Sequence, residues 1–158
     1  MLNLSKARKI ISGALLRAEE MNFKVCVAVC DATGRLVALN QMDGSVGWEA
    51  DRGSIGKAVA AAIIGRSSDR LFEQFGSGGV PLPSCSNLVS PRGQRGGLPI
   101  FEGGIVQGGC GVSGAATPEQ DEECASAGIA ALATTEQASV TYVNWPPPPD
   151  GRKVCPSA

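Results

Sequence analysis

The feature that most constrains the fold is a pair of apolar segments separated by a short turn. The valine-rich run Val-Cys-Val-Ala-Val-Cys at 25–30 is followed by Asp-Ala-Thr-Gly at 31–34 and by Arg-Leu-Val-Ala-Leu-Asn-Gln-Met at 35–42. Two such runs around a glycine-containing turn favour an antiparallel hairpin. Period two places Cys26 and Cys30 on one face of the first strand, where both thiols are interpreted as small buried side chains.

Helical patterns flank this hairpin. Residues 4–21 place apolar side chains at helical spacing, with Lys6 and Lys9 among the polar residues between them, which predicts an amphipathic helix. The alanine-rich stretch 48–66 predicts a second helix that ends at Gly65.

A short helix is predicted after that glycine, with Ser68 as its N-cap and Phe75 near its end. The last helix is marked by Thr117 as cap and Pro118 at its first position, and it is predicted to run to about residue 133. Asp121 and its acidic neighbours favour the positive end of the dipole of this helix.

The glycine-rich segment 76–116 is predicted to be mostly loop, with a second hairpin around the turn at 102–104. Residues 109–114 match the dinucleotide pattern GxGxxG. However, no βαβ unit surrounds the match, and carboxylates crowd the start of the helix that follows. We therefore interpret these glycines as allowing a close approach of strand, turn and helix.

Composition excludes several classes of function. The 158-residue chain has no histidine, which excludes Ser-His-Asp and Cys-His nucleophiles, HExxH zinc sites and histidine-ligated haem. A net charge of −1 without a basic run argues against nucleic acid or an anionic membrane as a partner. No membrane-spanning or secretory segment is predicted, so a cytoplasmic location, reduced cysteines and no metal site are expected.

Three basic side chains are candidates for an anion-binding pocket. Lys57 lies among small helical residues, where partial burial would let it hold an anion or lose its proton, although a solvated lysine is an equal alternative. Arg92 and Arg95 lie in a glycine-containing loop, where each guanidinium could bind a carboxylate in bidentate fashion or remain solvated. The sequence does not show that the three converge.

Five segments, in order, resemble the GlcG/HbpS family, also described as the haem-degrading domain and found as the C-terminal domain of PduO-type proteins. They read LSKARKIISGALLRAEE, VCVAVCDATGRLVALNQMDG, GKAVAAA, GGLPIF and GVSGAATPEQDEECASAGIAAL. The resemblance implies a single α/β domain of the α+β type, in which helices flank a five-stranded antiparallel sheet, and assembly into a homo-oligomer. We assign this domain to residues 1–138, followed by a Pro-rich extended tail at 139–158.

The resemblance also implies which residues line the pocket. Lys57 falls on the family's Gly-Lys-Ala position, and Gly96, Gly97 and Pro99 fall on its Gly-Gly-x-Pro loop. Some members of the family bind or degrade haem. In a chain without histidine, haem would need Cys, Met or Tyr as axial ligand, or contacts from its propionates to Arg or Lys.

Three functions stay open at this point. The first is a cytoplasmic homo-oligomer that binds a small anionic molecule, either an organic acid or haem. The second is an isomerase, hydratase or related lyase, in which Arg92 or Arg95 positions a substrate carboxylate and Lys57, Asp51 or Glu49 moves a proton. The third is a structural accessory oligomer.

Overall fold

The computed structural model describes residues 1–45, 47, 50–76 and 89–133. The predicted tail at 139–158 lies outside the described residues. The helices and strands are α1 (Leu4–Glu20), β1 (Cys26–Asp31), β2 (Leu36–Gln41), α2 (Ala50–Ile64), α3 (Leu71–Phe75), β3 (Gly97–Glu102), β4 (Ile105–Ser113) and α4 (Pro118–Ala130), with 3₁₀ turns at Ser68–Arg70 and Ala131–Ala133. In this part of the chain, no helix combines the length and the apolar character needed to cross a bilayer.

The strands form one antiparallel sheet in the order β2-β1-β4-β3. Both predicted hairpins are confirmed. The prediction of five strands is wrong for the described residues, which form four. Residues 89–96 reach β3 as a loop that packs on α2, where the Arg92 N–H donates to the Gly56 carbonyl at 2.9 Å. That segment therefore adds no strand to the edge of the sheet.

Strand β1 is buried because helices cover both faces of the sheet. Val27 and Val29 pack into a core with α1 and α4, whereas Ala28 and Cys30 pack against α2. Alternating side chains of one strand point to opposite faces, so the fold has three layers: α1 with α4, the sheet, and α2.

Glycines in β4 let α2 lie directly on the sheet. A Cβ added at Gly109 would lie 2.1 Å from the Ala58 carbonyl oxygen, and one added at Gly111 would lie 2.1 Å from the Ser54 carbonyl oxygen. Side chains at these positions would push helix and strand apart. This packing role agrees with the interpretation of the GxGxxG match as a close-approach motif.

The predicted helix boundaries are confirmed where capping chemistry marks them. The Thr117 side chain accepts from the Gln120 N–H at 3.4 Å, and the Gln120 side chain accepts from the Thr117 N–H at 3.0 Å, which completes the capping box of α4. Gly65 follows α2 with a φ of 64°, the left-handed conformation of a helix-ending glycine.

The described cysteines are free and buried: Cys26, Cys30, Cys110 and Cys124. Burial raises the pKa of Cys30 and of Cys110 to about 12, and that of Cys124 to about 11.

Since the thiolate is the reactive form, we expect these three cysteines to stay unlabelled by iodoacetamide at pH 8 until the protein unfolds. Peptide mass spectrometry with and without guanidinium measures this. Rapid labelling of Cys110 in the folded protein would contradict it.

Candidate ligand-binding site

Lys57, the central residue of the predicted pocket, is buried in an ion pair. Its side chain is 6% exposed, and its Nζ donates to Oδ2 of Asp121 and to the Val112 carbonyl, both at 2.8 Å. Because α2 and α4 cover opposite faces of the sheet, this pair joins the two outer layers of the fold. The solvated lysine considered as an alternative is therefore not what the structure shows.

Asp121 is the partner that the sequence did not reveal. Its side chain is 8% exposed, and Oδ1 accepts from the Ala115 N–H at 3.0 Å. Burial raises the pKa of Asp121, while Lys57 and the Ala115 N–H act in the opposite direction. A buried lysine does require an anionic partner. However, several carboxylates follow Thr117, and their spacing does not indicate which one faces inward.

The Gly-Gly loop packs directly over this ion pair. Gly96 has a φ of 115°, and a Cβ there would lie 3.0 Å from Lys57 Nζ and 2.8 Å from Asp121 Cβ. A Cβ at Gly97 would lie 2.3 Å from the Lys57 carbonyl oxygen. The structure thus brings Lys57, Gly96 and Gly97 together: Gly96 packs against the side chain of Lys57, and Gly97 packs against its backbone.

Ser68 holds the same loop in place. Its hydroxyl donates to the Gln94 carbonyl and accepts from the Gly97 N–H, the latter at 2.9 Å. The predicted N-cap role of Ser68 is wrong, because Ser67 occupies the cap position of the 3₁₀ turn. The hydroxyl of Ser68 is already used by the loop, and Ser67 makes no side-chain cap bond.

Arg95 is surrounded by carboxylates. Its guanidinium lies 3.3 Å from Glu119, 3.6 Å from Asp69 and 3.7 Å from Glu122. These groups already supply the negative charge that a bound anion would offer, so an added anion at this position meets repulsion as well as attraction.

The other predicted site residues are spread over the fold. The side chain of Arg92 lies over α2, where a Cβ added at Gly56 would approach its Cγ to 2.7 Å. Pro99 lies in β3, and Asp51 lies in the first turn of α2. Glu49 lies outside the described residues.

A groove that the sequence did not predict lies between the start of α1 and the β3–β4 hairpin. Its volume is about 430 Å³, within the range of small-molecule sites. None of the predicted site residues lines it. The lining residues are Leu2, Asn3, Ser5, Lys6, Lys9, Ile100, Phe101, Glu102, Gln107 and Leu132.

The charges at this groove favour an anion. Asn3 caps α1 by accepting from the Lys6 N–H at 2.9 Å, and the first turn of the helix has no acidic residue to offset its dipole. The Lys6 ammonium is paired with Glu102 at 2.6 Å. Lys9, half-buried one turn further along, has no ion-pair partner among the described residues.

A β-bulge contributes a polar group to the groove. Ile100 pairs with Gly108, and the next residue, Phe101, pairs with Val106, so Gln107 has no partner on β3. The side chain of such an extra residue departs from the regular alternation of a strand. Gln107 accordingly lines the groove beside Ile100.

Fold and groove together define a three-layer α+β domain with a ligand-sized, positively biased groove beside the start of α1. The family model "Haem degrading protein HbpS-like" matches residues 2–130. The chain therefore belongs to the HbpS-like family, which confirms the resemblance seen in the sequence.

Known proteins agree with this assignment. An uncharacterized 15.0 kDa protein of Citrobacter freundii, from the dhaT-dhaS intergenic region, is 29% identical over 124 residues, which are 76% of this chain and 84% of that protein. A double mutant of Streptomyces reticuli HbpS is 28% identical, with a TM-score of 0.71 over 83% of this chain and 86% of that one. A PduOC:heme complex shares the fold at 24% identity and a TM-score of 0.66, over 82% and 94% of the two chains.

The groove fits the acid groups of haem better than its iron. The usual axial ligands of haem iron are His, Cys, Met and Tyr. The chain has no histidine, and none of the residues lining the groove is Cys, Met or Tyr. The described residues also contain no cluster of three His, Cys, Asp or Glu side chains suited to a metal ion. The donor set thus suits a carboxylate on an apolar body, and we derive no step through haem iron.

Proposed function

We propose that this protein binds a small amphipathic anion in the groove between α1 and the β3–β4 hairpin. The observation that carries the proposal is the position of Lys9, a cation without an ion-pair partner in the described part of the chain, beside the apolar side chains of Leu2, Ile100 and Leu132. Haem belongs to this chemical class, since it joins a large apolar ring to two propionates. The description of the family supports haem as the first ligand to test.

The recognition follows from the chemistry of the lining residues. A ligand carboxylate pairs with the Lys9 ammonium, near the positive end of the α1 dipole. The apolar body of the ligand covers Leu2 and Leu132, which removes apolar surface from water. Gln107 offers an amide to a polar substituent. Because the residues lining the groove offer no axial ligand, a porphyrin is held through one propionate and through its ring.

Replacing Lys9 with alanine tests this site. Hemin titrated into the wild type is expected to give a saturable Soret change, and Lys9→Ala is expected to weaken binding about 5- to 10-fold, which corresponds to about 1 to 1.4 kcal/mol for one partly exposed charge-assisted contact. Lys24→Ala is the matched control, because Lys24 is exposed and does not line the groove. Iron-free protoporphyrin IX is expected to bind with similar affinity.

Two results would contradict the proposal. One is a non-saturable response of the wild type to both porphyrins and to the monomethyl ester of protoporphyrin IX. The other is unchanged affinity in Lys9→Ala, which would mean that the ligand binds elsewhere.

Anion binding by Lys57, Arg92 and Arg95 stays a prediction, and a ligand there would compete with Asp121 or with the carboxylates around Arg95. Catalysis, homo-oligomer formation and a cytoplasmic location also stay predictions.

A further inference from the structure

Glu102 places a carboxylate of the chain itself at the groove. It ends β3, lines the groove, and its Oε1 accepts from Lys6 Nζ at 2.6 Å. Its Oε2 accepts from the amino group of Met1. These hydrogen bonds lower the pKa of Glu102 to about 2, so the carboxylate stays ionised at any ordinary pH.

Lys6 and Lys9 are spaced three residues apart on α1, so their side chains lie on one side of the helix. Both line the groove, yet only Lys6 has an internal anion. A ligand with one acid group can pair with Lys9 and leave the Lys6–Glu102 pair intact. A ligand with two acid groups must place the second one near Lys6, where it meets the charge of Glu102.

We propose that Glu102 is a specificity-determining residue that competes with a second ligand acid for Lys6, so that the groove selects amphipathic monoacids over diacids. This inference rests on the proposed function and names the ligand class for the same site. Glu102 is half exposed and lies outside the hydrophobic core, so Glu102→Gln is expected to leave the packing of the core unchanged.

A matched pair of ligands tests the inference: protoporphyrin IX, with two acids, and its monomethyl ester, with one. Both are titrated into wild type and Glu102→Gln by fluorescence. Glu102→Gln is expected to tighten binding of the diacid about 5- to 10-fold and that of the monoester less than about 2-fold. Adding Lys6→Gln to Glu102→Gln is expected to remove the gain. Glu73→Gln is the control, because Glu73 is an exposed carboxylate that pairs with Arg70 and does not line the groove.

The outcomes separate this inference from the proposed function. If the wild type binds both ligands through Lys9 and Glu102→Gln changes both affinities equally, the inference is overturned and the proposed function stands. If the wild type binds only the monoester and Glu102→Gln binds both ligands, the inference is supported, and the proposed function stands for monoacids but not for haem. If neither protein binds either ligand, both are overturned.

Discussion

Replacing Lys57 with methionine is expected to lower the free energy of unfolding by about 3 to 5 kcal/mol. Methionine keeps most of the length of the side chain but removes the charge that faces Asp121 at 2.8 Å. The Asp121 side chain, 8% exposed, then keeps a buried charge without its cation. Urea denaturation of Lys57→Met and of the control Lys24→Met measures the difference, with the exposed control expected within about 0.5 kcal/mol of wild type.

A second substitution identifies the cause of this loss. Lys57→Met combined with Asp121→Asn removes the unpaired charge and keeps an oxygen that can accept from the Ala115 N–H. The double variant is therefore expected to be more stable than Lys57→Met alone. A Lys57→Met protein within about 1 kcal/mol of wild type would show that the ion pair contributes little to holding the layers together.

The same variant should respond to pH in a defined direction. Burial already raises the pKa of Asp121 in the wild type, and loss of Lys57 removes a group that lowers it. A carboxyl with a raised pKa in the folded state binds a proton more readily there than in the unfolded chain, so acidification stabilises the folded form relative to the unfolded one. The difference in free energy of unfolding between the wild type and Lys57→Met is thus expected to shrink as pH falls from 7 towards 5.

The elements that the sequence predicted correctly are those defined by neighbouring residues. The β1–β2 hairpin follows from two apolar runs around a glycine turn, and the start of α4 follows from the Thr117 capping box, whose groups lie within one helical turn. Ser68 shows the limit of this reasoning. Its hydroxyl bonds a loop that lies more than 20 residues away, so a local cap pattern was misleading.

The groups that the sequence did not place are those that depend on distant contacts. Lys57 and Asp121 are 64 residues apart, and Lys6 and Glu102 are 96 apart. Lys9 was interpreted only as part of the polar side of an amphipathic helix. Its position in a groove depends on the β3–β4 hairpin, which packs beside α1 only in the folded chain.

Substitution of Gly111 by alanine tests the contact between β4 and α2, and we expect it to cost about 3 kcal/mol or more of unfolding free energy. The added Cβ would lie 2.1 Å from the Ser54 carbonyl oxygen and 2.5 Å from the Ala58 amide nitrogen. Both are backbone atoms of one helix, so no side-chain rotation relieves the overlap, and α2 must move away from the sheet. Lys57 lies on that helix, so its ion pair with Asp121 should weaken as well.

Gly103→Ala separates this overlap from the general cost of removing a glycine. Gly103 has a φ of 60° and no atom within 4 Å of an added Cβ, so alanine there costs only the backbone strain of the left-handed conformation, about 1 to 2 kcal/mol. Urea denaturation compares the two variants. Equal losses would mean that α2 can shift without penalty. A larger loss of unfolding free energy in Gly111→Ala would show that Gly111 of the GxGxxG match serves packing. No ligand is present in this measurement, so the loss would report on the folded core alone.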